Sequence, residues 1–553
     1  MKRREFLGGL AAATTTAVLA ETSEKPLLRI GATSDDHLHP KRPKTHERAK
    51  ACFALFRREQ VDIVLDTGDI ADLSHLDELR AFRRYFDEAF AGTATVPFFG
   101  VANHDYNYLP DTKKNDPVNI KNASLALGMS DVNPSVEVKG YQFTNYFQNE
   151  KIDVLKAQVK KAVAASEPGR PVFVMTHIPP FGTTTETEHW SSAQIREVLN
   201  AYPQVVALNG HIHTAMTSAA NIWQGEFTSI SLGAHAEYSN PIDGECTILD
   251  VFANRIEVRR YEAVTGREIG ADDRWTIPLP LDPAHGPYRP EVRAAKYVVP
   301  QLPSAATASF EVAKGGLDGT FAFTAALPPG KARRYDIRFE SKGEDGKWNF
   351  LATLNWHPPQ VMEADAPSAW KCFMASCLLD AGKEHRAVIS PVNCFARAGK
   401  EVEVRFTTPV ATCRELPAEL TRVEKIIQGD TLDRPELKPR ADGWFTTKTS
   451  YTMLMLPEAL SEAIAGKPSA LCFDIGYRQQ GVPNTFCIAK FPADGGKIEL
   501  GLGGRIYTVP GECDSHRWTW RLGRGVKKGD RLCLVIREGH RADFKFNGAK
   551  AFV

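Results

Sequence analysis

Five short segments carry side chains of the metal-binding kind: Asp35-Asp36-His37-Leu38-His39, Gly68-Asp69-Ile70-Ala71-Asp72, Asn103-His104-Asp105, Thr176-His177 and Gly210-His211-Ile212-His213. Carboxylates, imidazoles and an amide oxygen suit Mn, Fe, Zn or Co in mixed nitrogen and oxygen coordination. Asp35, His37, Asp69, Asn103, His177, His211 and His213 are too many ligands for one ion and suit two. Two ions roughly 3.5–4 Å apart, bridged by a carboxylate, form a recognised device for phosphoryl transfer. The first segment alone has two registers, because Asp35-x-His37 and His37-x-His39 are both ligand pairs.

Each segment follows a short apolar run. Leu27–Ala32, Val61–Leu65, Val96–Val101, Val172–Met175 and Val205–Leu208 read as buried strands. Ligands at the C-terminal ends of neighbouring strands converge on one crevice. Strand alternation predicts Asp35 and His37 on one side of a strand end, with Asp36 pointing away as a loop or helix-capping residue, and likewise pairs His211 with His213. Ala49, Cys52, Phe53 and Phe56 form one helical stripe, Leu76, Leu79, Phe82 and Phe86 another, and Ser192–Tyr202 reads as a third helix. Tyr106–Asn119 and Thr183–Glu188 read as loops. This alternation predicts an α/β layered fold. After Gly210, strands at Thr228–Leu232, Cys246–Val251 and Ile256–Tyr261 follow one another without helices, and a proline-rich connector runs from Pro278 to Pro300. Beyond it the period is 2, as in Tyr335, Ile337, Phe339 and Val402, Val404, Phe406, which predicts half-buried strands.

The chain has 553 residues, too many for one core. Residues 1–25 read as a signal peptide, 26–285 as the α/β domain, 295–412 as a fibronectin-III-like β-sandwich and 413–553 as a C-terminal β-rich domain. Arg3-Arg4 followed by Phe6-Leu7 resembles a twin-arginine export signal, so a periplasmic or otherwise exported bacterial protein is expected. No later run is long and apolar enough to span a bilayer, roughly 20 residues. The formal net charge of +1 gives no strong nucleic-acid signal. Ten cysteines include no C-x-x-C, and eight lie between Cys372 and Cys533, where an oxidising compartment permits disulfides. Trp348, Trp356, Trp370, Trp444, Trp518 and Trp520 stand in the C-terminal half, as core residues or as platforms for glycan or cell-wall contact.

Taken in order, D-x-H, G-D-x-x-D, N-H-D, a lone histidine and G-H-x-H resemble the calcineurin-like metallophosphoesterase superfamily, from about Leu27 to Tyr261. The resemblance selects Asp35 and His37 over the His37-x-His39 register of amidohydrolase-type enzymes. It implies a four-layer αββα sandwich, here followed by two β-sandwich-like domains. It implies that Asp35, His37 and His213 hold one metal, that Asn103, His177 and His211 hold the other, and that Asp69 bridges both. His104 would stabilise the transition state or protonate the leaving oxygen, Asp105 would orient His104, and a metal-bridging hydroxide would attack phosphorus. Two ions, Mn, Fe or Zn, and a small-molecule phosphate ester substrate follow, with a diester favoured over a monoester. The family's glycine before Asn103 is Ala102 here, a turn that survives if its φ is negative. No tyrosine lies between Gly68 and Leu73, against the tyrosinate-bound ferric ion of purple acid phosphatases. Ala102 and the tryptophans also motivate a second reading, a catalytically weak surface protein whose β-domains bind glycan.

Overall fold

The computed structural model describes residues 24–109, 113–184, 191–235, 242–410, 413–429, 436–446, 451–479, 485–494, 498–508, 513–523, 525–537 and 542–553. The expected signal peptide lies outside them up to residue 23, as does the expected Thr183–Glu188 loop from residue 185 on. In chain order the first half runs β1 (Leu28–Thr33), α1 (Pro43–Arg58), β2 (Ile63–Asp66), α2 (Leu76–Ala89), β3 (Val96–Phe99), α3 (Asn103–Tyr106), α4 (Pro117–Ala126), β4 (Ser135–Val138), β5 (Tyr141–Tyr146) and α5 (Ile152–Ala165). It continues through β6 (Val172–Thr176), α6 (Ala193–Leu199), β7 (Val205–Asn209), β8 (Ile222–Gln224), β9 (Thr228–Ser231), β10 (Glu245–Val251), β11 (Arg255–Glu262), β12 (Arg267–Ile269) and β13 (Trp275–Pro278).

Two sheets form, in the orders β12-β11-β10-β1-β2-β3 and β4-β5-β6-β7-β9-β8. Within them β1-β2-β3 and β5-β6-β7-β9 are parallel. The sheets face each other across one core, where Ile30, Leu65 and Phe98 meet Phe143, Phe173 and Leu208. Phe143 and Phe173 stack at 5.0 Å, and each such ring stabilises by about 1.5–3 kcal/mol on leaving water. Helices α1 and α2 cover the outer face of the first sheet, and α5 and α6 that of the second. The result is the expected αββα sandwich. Proline at the first turn starts α1, and its stripe of Ala49, Cys52, Phe53 and Phe56 is buried. Gly31 admits that stripe, because a Cβ there would lie 2.7 Å from the Phe56 ring.

The β-rich half follows a short helix, α7 (Pro290–Lys296), inside the proline-rich segment read as a plain connector. Its first sandwich runs β14 (Ala308–Val312), β15 (Asp318–Thr324), β16 (Arg334–Lys342), β17 (Trp348–Trp356), β18 (Ala369–Ala375), β19 (Glu384–Val392) and β20 (Val402–Thr407). Sheets β14-β15-β18 and β17-β16-β19-β20 enclose Phe321, Phe339 and Ile389. The second sandwich runs β21 (Lys425–Gln428), β22 (Phe445–Thr446), β23 (Tyr451–Met455), α8 (Glu458–Ile464), β24 (Ser469–Gln479), β25 (Thr485–Phe491), β26 (Glu499–Thr508), β27 (Cys513–Leu522), β28 (Arg531–Arg537) and β29 (Ala542–Phe552). Its sheets β21-β23-β28-β25-β26 and β22-β29-β24-β27 share a core with Phe473, Trp520 and Leu534. Trp370, Trp444, Trp518 and Trp520 are buried. Trp356 packs on Phe323 and Trp370. Trp348 carries the guanidinium groups of Arg386 and Arg405 at 4.9 and 5.6 Å. The core role therefore accounts for most of these indoles. No helix among the described residues is long and apolar enough to cross a membrane.

Candidate metal centre

The seven expected ligands lie just past the C-terminal ends of five parallel strands, β1, β2, β3, β6 and β7. The β1–β2 ladder continues beyond the strands: Asp35 N donates to Gly68 O, His37 N to Asp69 O and Leu38 N to Ile70 O, at 3.0, 3.0 and 2.8 Å. The backbone there is not pleated strand. Asp35, His37, Asp69, His211 and His213 have φ of 55°, 45°, 58°, 70° and 47°, each a left-handed conformation that costs a non-glycine residue about 1–3 kcal/mol. Strand alternation was thus the wrong reason for pairing Asp35 with His37; successive left-handed turns aim both inward.

Two clusters result. In one, His213 Nε2 lies 3.0 Å from Asp35 Oδ1 and 3.1 Å from His37 Nε2. In the other, His177 Nε2 lies 3.1 Å from Asp69 Oδ2 and 3.2 Å from His211 Nδ1. Within each cluster the ligand atoms lie within 4.8 Å of one another. Imidazole and carboxylate lone pairs converging at these distances fit a cation, because adjacent acceptors repel until a positive charge stands between them. Asp35, Asp69 and His177 are almost wholly buried, while the His213 side chain is 35% exposed, so the centre opens on that side. Asn103 stands at the start of α3, its Oδ1 3.5 Å from Gln148 Nε2.

Electrostatics follow the burial. Burial alone would raise Asp35 and Asp69. The imidazoles of His213 and His177 override it for Asp35, which sits well below the usual carboxylate range, and His177 brings Asp69 to about 2. Burial, then the neighbouring His177, lowers His211 to about 4. Burial would lower His37 and His177 too, yet the hydrogen bond that His37 donates to Asp72 raises His37 and the charge of Asp69 raises His177.

Asp105 does not orient the His104 ring as expected. Its oxygens accept the backbone N–H groups of Asp69, Ala71 and Ala102 at 3.0, 2.8 and 2.8 Å, which pins two ligand loops together. Burial, then the Asp69 charge, pushes it up to about 7. His104 is held by other groups. Its Nδ1 lies 2.8 Å from Asp72 O, and Tyr108 stacks on its ring at 4.1 Å. Ser74 Oγ donates to His104 O at 2.7 Å and accepts from Tyr108 N at 2.8 Å. Asp72, the second acid of the G-D-x-x-D segment, to which the sequence assigned no role, has Oδ1 3.3 Å from His37 Nδ1 and Oδ2 3.1 Å from Arg42.

Asp36 lies in the loop that follows β1, as expected, and does not cap α1, whose N-cap is Arg42. It is fully buried on the helix side of the first sheet, in contact with the Asp66 carboxyl. Tyr106 is core, its hydroxyl accepting from Gln148 and Asn149. Ala102 has φ −132°, extended backbone open to any residue, so its departure from glycine strains nothing. Gly68 and Gly210 are different. Gly68 has φ +111° and backs onto Ala102. A Cβ on Gly210 would stand 1.8 Å from Ser34 Oγ and 2.4 Å from Asp35 Oδ2.

A four-layer α/β sandwich with two ligand clusters at its strand ends defines the class of metal-centred phosphoesterases. Residues 28–215 match the family model described as calcineurin-like phosphoesterase, and this segment is a domain of that family. No curated protein matches the chain. Among solved structures, a dimetal phosphatase from Danio rerio is 13% identical, over 46% of this chain and 99% of that chain, with a TM-score of 0.34. A purple acid phosphatase from yellow lupin (Lupinus luteus) seeds is 13% identical over 45% and 53%, with a TM-score of 0.33. Carbohydrate-binding modules of the β-sandwich superfamily are 10% identical over 46% and 96%, with a TM-score of 0.16.

Proposed function

We propose that this chain is an exported phosphoesterase with two metal ions, Mn, Fe or Zn, that hydrolyses a phosphodiester in preference to a phosphomonoester. The observation that carries it is the pair of ligand clusters past the ends of β1, β2, β6 and β7, five of whose six residues stand in left-handed backbone. Asp35, His37 and His213 would hold one ion, Asn103, His177 and His211 the other, and Asp69 both. Bound ions would supply Lewis acidity and a water acidic enough to ionise near neutral pH.

The remaining steps belong to the chain. Asp72 accepts from His37 Nδ1 and so directs its Nε2 into the cluster, as outer carboxylates do for ligand histidines. A carbonyl only accepts, so the His104 proton sits on Nδ1 facing Asp72 O, and Nε2 is left to hold or deliver a proton to a leaving oxygen. Asp105 fixes the loops that carry Asp69 and His104. The expected twin-arginine signal supports export, since that route carries folded protein with its metals already in place.

The test is hydrolysis of bis(p-nitrophenyl) phosphate and p-nitrophenyl phosphate by protein reconstituted with Mn, Fe or Zn in turn. Metal-dependent turnover, faster on the diester, is expected. Metal-loaded protein inert toward both esters would overturn the reading, and a faster monoester would overturn the preference.

A further inference from the structure

Three thiols meet where the two β-sandwiches join. Cys377 follows β18 of the first sandwich, Cys472 lies on β24 of the second, and Cys413 lies on the connection between them. Cys377 and Cys472 are buried in one apolar cluster with Leu317, Ala375 and Ala470. Cys472 Sγ stands 3.7 Å from Cys377 O, and the two thiols are in hydrogen-bond contact. Cys377 and Cys413 also line a cavity of about 280 Å³, with Phe310, Leu379, Arg517 and Lys550 on its walls. Cys377 forms part of the wall of that cavity although it is largely buried, and Cys413 beside it is the more exposed.

Two other cysteine pairs lack one of these features. Cys52 and Cys246 are fully buried between α1 and the first sheet. Cys487 and Cys533 lie on the paired strands β25 and β28 but out of register, Cys487 opposite Val535 and Cys533 opposite Ala489. Only the junction pair joins thiol contact to an open approach.

We propose that Cys377 and Cys472 form a cystine that ties the two sandwiches together when a small disulfide oxidant enters the cavity, while Cys413 stays a thiol. The Cys377 thiolate attacks one sulfur of the oxidant RS–SR and expels RS⁻, leaving a mixed disulfide. Cys472 then attacks the Cys377 sulfur and expels the second RS⁻. The two protein thiols lose two electrons and two protons, and the oxidant takes up both and departs as two RSH. Contact with Cys377, together with burial, holds the Cys472 thiol above its ordinary range.

The experiment incubates the full chain overnight with oxidised glutathione, alkylates the remaining thiols and maps peptides without reduction. A joined peptide containing Cys377 and Cys472, with Cys413 alkylated, is expected. Cys413→Ser keeps the joined peptide and Cys472→Ser loses it. The link closes a loop across 95 residues, so the thermal midpoint of the β-rich half should rise on the order of 10 °C and return on reduction. A Cys377–Cys413 peptide, or alkylation of both Cys377 and Cys472, overturns the proposal. Peptide mapping of the unsubstituted chain decides the question even if a variant fails to fold.

Discussion

In the second sandwich Arg517 lies between Asp380 and Asp474, at 2.9 and 3.3 Å, and Lys490 lies between Glu499 and Asp530, at 3.2 and 3.4 Å. In the metal centre Asp35 and Asp69 are more deeply buried, Asp35 accepting from Ser34 Oγ and His211 N and Asp69 from His104 N, and the basic groups beside them are imidazoles that crowd one another at 3.1 and 3.2 Å. The backbone divides in the same way. Of ten non-glycine residues with positive φ among the described residues, nine precede residue 214 and five are candidate ligands; Ala396 is the single case in the β-rich half. The β-rich half neutralises its buried charge with its own side chains. The metal centre holds bent backbone and converging acceptors together, an arrangement that fits added positive charge.

The largest break in this contrast should come from Asp69→Ala. Elemental analysis should show metal falling from near two equivalents to one or fewer, with turnover lost. Full retention of metal would erase the distinction between the halves. His104→Ala should keep both metals and lower kcat by about 10²–10⁴-fold, the usual worth of a positioned proton donor. Asp72→Asn should cost roughly 10–100-fold in metal affinity or activity, read by competition with a chelator and by rate. Unaltered values would leave the Asp72–His37 contact incidental.

The smallest effect tests the β-rich half. Burial lowers His516 to about 4, where its Nε2 accepts from Thr353 N at 3.0 Å. Below pH 6.5 the unfolded chain takes up a proton here that the folded chain refuses until about pH 4. Stability present above pH 6.5 is therefore lost as pH falls toward 4, by about 3 kcal/mol. Melting profiles between those pH values should slope downward for the native chain and flatten in His516→Gln. Equal slopes would remove His516 as the cause.

The ligands were legible because strand ends and motif order are one-dimensional facts. The partners of Asp72 and Asp105 were not, because they arrive through folding: His37 from another loop, and three backbone N–H groups that no sequence pattern displays. Asp36 is a loop residue turned away from Asp35, and what the sequence does not display is its contact with Asp66. Helix α5 buries Leu155, Val159 and Ala162, an i, i+4, i+7 stripe that the sequence also displays. Pattern of period 2 revealed both sandwiches, whereas the meeting of Cys377 with Cys472 depends on how they dock.

Gly210 carries a further consequence. Its φ is not in the left-handed range, so its requirement for glycine comes from Ser34, Asp35 and Thr67 closing around the missing Cβ. A change at codon 34 or 67 would still leave the Asp35 carboxylate 2.4 Å from a Cβ at 210, so the presence of a ligand at one end of the domain forbids a side chain at the other.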